Sequence, residues 1–163
     1  MLLREQNVCL NIGEKAPDFI LPDQNGMDVS LSEFRGRKNV LVGLHPGDLN
    51  SGCKDSFRFY QQYLAQFEES DTQVLAINMA SIESNRTWLD EIGELGFPVL
   101  ADYVPLGDAT LKFDCFVPKE GYGKRAVFLI DKDGKLRHIE VLKATSNACP
   151  DMSRMFEIIQ EMN

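Results

Sequence analysis

Hydrophobic and polar residues follow two alternating patterns along this chain, and each pattern predicts a different kind of element. Short aliphatic runs, typical of buried strands, occur at 39–45, 73–79, 97–100, 126–130 and 136–142. Between these runs apolar residues recur every three or four positions, which predicts helices at 55–69, 84–95, 106–113 and from Pro150 onward. Near the N-terminus, two short apolar segments flank 23–26, whose Asn-Gly ending is a strong turn signal.

This order of elements predicts an α/β fold with a central mixed β-sheet that helices cover on both faces. The last two strands are joined by 131–135 alone, and a connection so short can join only antiparallel strands. The stretch 131–134 resembles the start of a calcium-binding loop but lacks the glutamate that closes one, so we predict a hairpin turn. Since the chain shows no repeat and no linker, we predict a single domain spanning residues 1–163.

The composition narrows the classes of function. A formal net charge of -8 argues against a nucleic-acid or anionic-membrane surface, so we expect neither partner. No apolar run approaches the roughly 20 residues that span a bilayer, and no secretory signal is visible, which makes the cytoplasm the expected compartment. The cysteines, at 9, 53, 115 and 149, show no Cys-x-x-Cys spacing, and the chain has 2 histidines, so we expect no metal site and no cofactor.

Cys53 is the residue with the most evident chemistry. It follows the strand predicted at 39–45 and lies where the chain turns into a helix. Free backbone N–H groups and the positive end of a helix dipole favour a thiolate there, and the thiolate is the nucleophilic form of cysteine. The alternative is a buried and inert cysteine, because free cysteine is among the most buried residue types. Position alone does not separate these two interpretations.

Several segments, taken in order, match the signatures of a known family. They are 13–19, 31–42, 97–102 and 125–134. On these segments the chain, from about residue 12 to residue 159, resembles the peroxiredoxins, the alkyl hydroperoxide reductase / thiol-specific antioxidant family. The resemblance implies a thioredoxin-like fold with an N-terminal β-hairpin extension. It also implies a thiol-dependent peroxidase that reduces hydrogen peroxide or organic hydroperoxides through a cysteine sulfenic acid.

The resemblance also assigns roles within the active-site loop, which in the family reads Pro-x-x-x-Thr/Ser-x-x-Cys. Pro46 and Cys53 have the family's separation, so Cys53 would be the nucleophile and Pro46 would shield its sulfur. Asn50 stands at the Thr/Ser position and Ser51 follows it, so either side chain is a candidate for contacting the peroxide. Arg125 matches the active-site arginine, whose guanidinium would favour the thiolate and donate hydrogen bonds to a peroxide.

Two further positions depart from the family pattern. Ser56 stands where many members carry a glutamate that holds the arginine, and His45 stands where many carry an aromatic residue. We interpret His45 as a packing or hydrogen-bonding residue rather than a base. The departures motivate one alternative function, a catalytically impaired relative that senses redox state or binds a ligand. A second alternative, a thiol-disulfide oxidoreductase, is disfavoured because Asn50 occupies the place of the other cysteine in a Cys-x-x-Cys pair.

A sulfenic acid at Cys53 must be reduced by a second thiol, and the sequence leaves the source of that thiol open. Cys115 and Cys149 are the candidate resolving residues within the chain, whereas Cys9 lies in the N-terminal extension. The other source is an external thiol or a thioredoxin-like reductant. The resemblance also allows a homodimer, since members of the family often form dimers or larger rings.

Overall fold

A mixed β-sheet forms the centre of the computed structural model, which describes residues 9–45, 51–117, 122–142 and 150–163. Of residues 51–55, 117, 122 and 123 it describes the backbone alone. The strands are β1 (Ile20–Pro22), β2 (Asp28–Ser30), β3 (Asn39–His45), β4 (Thr72–Asn78), β5 (Val99–Ala101), β6 (Phe116–Val117), β7 (Tyr122–Gly123), β8 (Arg125–Ile130) and β9 (Leu136–Leu142). The helices are α1 (Ser51–Gln62), α2 (Leu64–Glu69), α3 (Ile82–Ile92), α4 (Asp108–Lys112) and α5 (Met152–Met162), and a 3₁₀ helix spans Leu31–Phe34.

The central sheet has the strand order β5-β4-β3-β8-β9. Strands β3, β4 and β5 run parallel, because helical segments connect them, while β8 and β9 run antiparallel to their neighbours. The turn between β8 and β9 is closed by the Gly134 amide, which donates to the Asp131 carbonyl at 2.9 Å, and this confirms the predicted hairpin. Strands β1 and β2 pair as a separate N-terminal hairpin.

Successive residues of each strand point to opposite faces of the sheet, and each face has an apolar core. The first face carries α1, α2, α3 and α5, and its core includes Leu41, Val127, Phe57, Trp88 and Met155. The second face carries the N-terminal hairpin and α4, and its core includes Val42, Phe128, Phe19, Leu31 and Phe113. Helices therefore cover both faces of the mixed sheet, as the order of elements predicted.

The strand registers bring residues from distant parts of the chain to one edge of the sheet. His45, the last residue of β3, pairs with Asn78, the last residue of β4. The antiparallel register of β3 and β8 pairs Leu44 with Ala126, so the next positions along the two strands, His45 and Arg125, lie opposite each other. Because neighbours across strands share a face, these polar side chains lie on the face that carries α1.

Helix α1 differs from the prediction at both of its ends. We predicted one helix over 55–69, but α1 begins at Ser51, and the chain breaks at Tyr63 before α2 begins. The first turn is polar and therefore carries no apolar periodicity from which its start could be read. The break was not visible because Phe57 and Phe67 both pack into the same core, so the apolar pattern runs through it. The earlier start places Cys53 within the first turn of α1.

Candidate active site

Arg125 is a buried cation at the edge of the central sheet. It begins β8 and its side chain is 1% exposed. Arg125 shares a sheet face with Val127 and Leu129, which pack in the same core as the α1 side chains Phe57 and Tyr60. Burying a guanidinium is costly unless hydrogen bonds satisfy it. Because Arg125 begins a buried strand, its positive charge lies directly under the first helix.

Ser56 of α1 binds this cation. The Nη2 atom of Arg125 donates a hydrogen bond to the Ser56 hydroxyl, and both side chains are buried. Ser56 lies three residues after Cys53 in α1, a rise of about 4.5 Å along the helix axis. Residues three positions apart lie on the same side of a helix. Arg125 therefore contacts the side of α1 that also includes position 53. Position 53 lies one turn closer to the start of the helix than Ser56.

His45 completes the buried polar group at this edge and is uncharged. Burial, and to a lesser extent the positive charge of Arg125, lower the pKa of His45 to about 3. The His45 ring packs edge-on against Phe57, with ring centroids 4.3 Å apart. Neither ring nitrogen has a hydrogen-bond partner among the described residues, although both atoms are fully buried. We predicted a packing or hydrogen-bonding residue at position 45. The ring of His45 packs, whereas its two nitrogens make no hydrogen bond to the described residues.

Asn78 and Asn85 were not singled out by the sequence analysis, yet both lie in this buried polar group. The Asn78 side-chain amide donates to the Asn85 carbonyl oxygen at 2.9 Å. The carbonyl oxygen of Asn78 itself has no partner among the described residues. The sequence carried one signal for this group, an asparagine at the end of an aliphatic run. A buried amide normally has a hydrogen-bond partner, so an asparagine at that place indicates other polar groups nearby.

The structure brings only part of the predicted site together. Pro46, Asn50 and Cys149 lie outside the described residues. Ser51 and Cys53 are described as backbone positions in the first turn of α1, without their side chains. Their roles, like that of Arg125, therefore stay predictions.

Cys115 lies away from this group of residues. It is buried in the apolar core on the second face of the sheet, with α4, so the sheet separates it from α1. Burial raises the pKa of the Cys115 thiol to about 12, which keeps the sulfur protonated. Cys9 is exposed, and a hydrogen bond with the Asp114 carboxylate raises the pKa of its thiol. Of these two thiols, neither is a thiolate at neutral pH.

Within the described part of the chain, no group of three or more histidine, cysteine, aspartate or glutamate residues is arranged to hold a metal ion. No helix among the described elements combines the length and the apolar character needed to cross a bilayer.

Comparison with known proteins gives relatives in both sequence and structure. The AhpC/TSA family profile matches residues 12–139. Alkyl hydroperoxide reductase E of Mycobacterium tuberculosis is 33% identical over 132 residues, which cover 81% of this chain and 86% of that protein. The chloroplastic 2-Cys peroxiredoxin BAS1 of Hordeum vulgare is 28% identical over 136 residues, which cover 78% of this chain and 64% of that protein.

Two solved structures share the fold over almost the whole chain. The reduced 2-Cys peroxiredoxin of Plasmodium vivax superposes with a TM-score of 0.82 at 21% identity, covering 93% of this chain and 81% of that one. Peroxidoxin BcpB of Mycobacterium tuberculosis superposes with a TM-score of 0.79 at 18% identity, covering 94% of this chain and 99% of that one. These likenesses confirm the predicted thioredoxin-like fold.

The fold, together with a buried cation under the first turns of α1, defines a thioredoxin-like oxidoreductase that works through a thiol. The chain belongs to the AhpC/TSA family, the peroxiredoxins, and is a thiol-dependent peroxidase.

Proposed function

We propose that the chain reduces peroxides at Cys53, with Arg125 as the group that stabilises the charge of the reaction. The hydrogen bond from Arg125 to Ser56 carries this proposal, because it ties the guanidinium to the helix side that includes position 53. A cation close to a thiol lowers the pKa of that thiol, and the free N–H groups of a helix start act in the same direction. Both effects favour a thiolate at Cys53.

The reaction needs few groups. The Cys53 thiolate attacks one peroxide oxygen and the O–O bond breaks, which leaves a sulfenic acid on the cysteine. The second oxygen departs as alkoxide or hydroxide and takes up a proton. Negative charge moves from sulfur to oxygen, and Arg125, which has several N–H donors, stabilises it in both places. Pro46 shields the sulfur, and Asn50 and Ser51 are the candidate side chains for contacting the peroxide.

Stopped-flow mixing with hydrogen peroxide tests this proposal. We expect rapid loss of one thiol in the wild type and no such phase in Cys53→Ser. Cys9→Ser is the matched control, because Cys9 is exposed and hydrogen-bonded to Asp114 on another part of the molecule, and this variant should react like the wild type. A wild-type thiol that reacts no faster than free cysteine would contradict the proposal.

We further infer that an external thiol or a thioredoxin-like protein reduces the sulfenic acid. The burial of Cys115 on the second face of the sheet supports this, since that thiol is protonated and separated from α1. Cys149 stays the other candidate. Treatment with one equivalent of peroxide followed by disulfide mapping decides among them. We expect no disulfide between Cys53 and Cys115, whereas a bond between Cys53 and Cys149 would replace the external thiol by an internal one.

The substrates, the assembly and the location of the enzyme are proposed from family membership. We expect both hydrogen peroxide and organic hydroperoxides to be substrates, a homodimer in solution, and a cytoplasmic location. The alkyl hydroperoxide reductase among the relatives supports the hydroperoxide substrates, whereas the homodimer and the cytoplasmic location rest on the expectations from the sequence. Static light scattering on the reduced protein measures the assembly, and a molar mass of one chain would contradict the homodimer.

A further inference from the structure

The end of the central sheet opposite Arg125 carries a group of cations that the proposed function does not use. Residues 35–38 lead into β3, and the hairpin turn 131–135 follows β8, so both segments lie at this end of the sheet. The Gly36 amide donates a hydrogen bond to the Lys132 carbonyl oxygen at 2.7 Å and joins the two segments. Since a strand rises about 3.3 Å per residue, the length of β8 places this end about 20 Å from Arg125.

Two lysines lie directly opposite each other in this region. Lys15 and Lys135 pair as an antiparallel bridge. The amide that follows each lysine donates to the carbonyl that precedes the other lysine, at 2.9 Å in both cases. The lysines therefore form a non-hydrogen-bonded pair, the kind in which opposite side chains lie closest. Like charges in this position destabilise a sheet, and an anion bound between them would remove that cost.

Arg35 lies against the same turn. The Gly134 backbone passes under its guanidinium, since a Cβ atom at position 134 would lie 3.0 Å from the Arg35 Nε. Five cations at this end of the sheet form no ion pair with another described residue. They are Lys15, Arg35, Arg37, Lys38 and Lys135, which we call the basic patch. All five are exposed except Lys38, which is partly buried.

Most carboxylates close to the basic patch are held by other groups. Asp71 pairs with Lys132 at 2.7 Å, and Asp131 pairs with Arg137 at 3.3 Å. Three further carboxylates accept hydrogen bonds from backbone amides, which fix them in place: Glu14, Asp18 and Glu33. Asp133 is exposed in the turn. Cations therefore slightly outnumber carboxylates at this end, whereas the whole chain has a formal net charge of -8.

We propose that the basic patch docks a short acidic segment of a partner protein. Carboxylates of such a segment would pair with the guanidinium of Arg35 and neutralise the two opposed lysines. A nucleic acid fits less well, because its phosphates extend past the patch over a molecule of net charge -8. Salt screens charges beyond about 8 Å at physiological ionic strength, so a short segment responds mainly to the patch. Docking at this end leaves the active site open, and the inference does not rest on peroxide reduction at Cys53.

Fluorescence anisotropy with a labelled oligoglutamate peptide tests the proposal on the full reduced chain. We expect the wild type to bind the peptide, and Arg35→Glu and Lys135→Glu each to bind it about tenfold more weakly. Raising the salt concentration should weaken wild-type binding. Arg154→Glu is the matched control, because it reverses one exposed arginine in the first turn of α5. The other end of α5 lies at the start of β3, where Asn163 bonds Asn39, so this control should bind like the wild type.

The inference is wrong if the wild type does not bind the peptide, or if Arg154→Glu weakens binding as much as Arg35→Glu does. Duplex DNA of equal charge that binds as tightly as the peptide would also overturn it, in favour of a nucleic-acid surface. The circular dichroism and the peroxide rate of each variant should match the wild type, and Arg35→Gln replaces any variant that does not fold. Failure of the proposed function would leave peptide binding unchanged, so the two proposals can fail separately.

Discussion

Arg125 illustrates how a neutral side chain can orient a buried charge. Its side chain is 1% exposed, and one of its donors binds the Ser56 hydroxyl rather than a carboxylate at that position. A neutral acceptor satisfies an N–H group without cancelling the positive charge. The contact with Ser56 therefore orients the guanidinium without neutralising it.

We expect removal of this charge to slow peroxide reduction strongly. Arg125→Gln keeps N–H donors but loses the cation, so the rate constant for hydrogen peroxide should fall about 100-fold, and the pKa of the Cys53 thiol should rise. Stopped-flow oxidation and the pH dependence of alkylation measure the two effects. Arg137→Gln, which breaks a partly buried ion pair with Asp131 in the β8–β9 hairpin, is the matched control and should change neither. A rate within twofold of wild type in Arg125→Gln would rule out the proposed role.

His45 makes the folding free energy depend on pH. Its pKa is lowered from 6.5 to about 3 on folding, so the unfolded state binds a proton between these values that the folded state does not bind. Stability is therefore present above pH 6.5 and is lost as the pH falls. We expect a loss of about 2 kcal/mol from this group between pH 7 and pH 5. Urea unfolding at both pH values measures it, with His45→Phe as comparison.

The difference between the wild type and His45→Phe isolates the contribution of the histidine to the unfolding free energy, because the carboxylates contribute equally in both proteins. The free energy of unfolding should fall less between pH 7 and pH 5 in His45→Phe than in the wild type. Equal losses in the two proteins would mean that His45 titrates normally in the folded state.

Strand β3 and helix α1 approach each other closely above Gly43. A Cβ atom at position 43 would lie 2.8 Å from the Tyr60 hydroxyl oxygen and 3.1 Å from its ring. Glycine thus lets the Tyr60 ring lie directly on the strand backbone, two residues before His45. The distance between β3 and α1, and with it the position of Ser56 over Arg125, depends on this missing side chain.

We expect Gly43→Ala to destabilise the fold by about 1–3 kcal/mol through overpacking between β3 and α1. The double variant with Tyr60→Phe removes the hydroxyl that lies nearest to the new methyl group. It should therefore be more stable than the sum of the single effects predicts. Urea unfolding of the four proteins of this cycle measures the coupling. Additive effects would show that Tyr60 does not restrict position 43.

The two faces of the molecule are coupled through one sheet. Strands β3, β4 and β8 supply side chains to both apolar cores, so neither core can come apart while the other stays intact. The N-terminal hairpin and α4 depend on the same strands as the helices of the first face. This sharing supports the prediction of a single domain over residues 1–163.

A single domain should unfold in one cooperative transition. Trp88, the sole tryptophan of the chain, reports the core of the first face by fluorescence, and far-UV circular dichroism reports the whole backbone. We expect the two probes to give the same urea midpoint and the same dependence of the unfolding free energy on urea concentration. Two separate transitions would contradict the single domain.

Much of the architecture could be read from local pattern. The predicted strands 39–45 and 136–142 coincide with β3 and β9, because buried aliphatic runs end where the chain leaves the core. The hairpin β6–β7 was missed, since strands of two residues carry no periodicity. Cys53 was found from its position at the start of a helix, and Arg125 was found through the family resemblance. The buried polar atoms of Asn78 and Asn85 were not found at all.

Local pattern established the kinds and order of the elements, the side of each element that is buried, and the cysteine at the start of a helix, because these depend on neighbours along the chain. It could not show that Arg125 faces His45 and binds Ser56, or that Cys115 lies behind the sheet. Those relations depend on strand register and on packing between segments far apart in the chain. Such contacts form only when the whole core assembles, and no local periodicity records them.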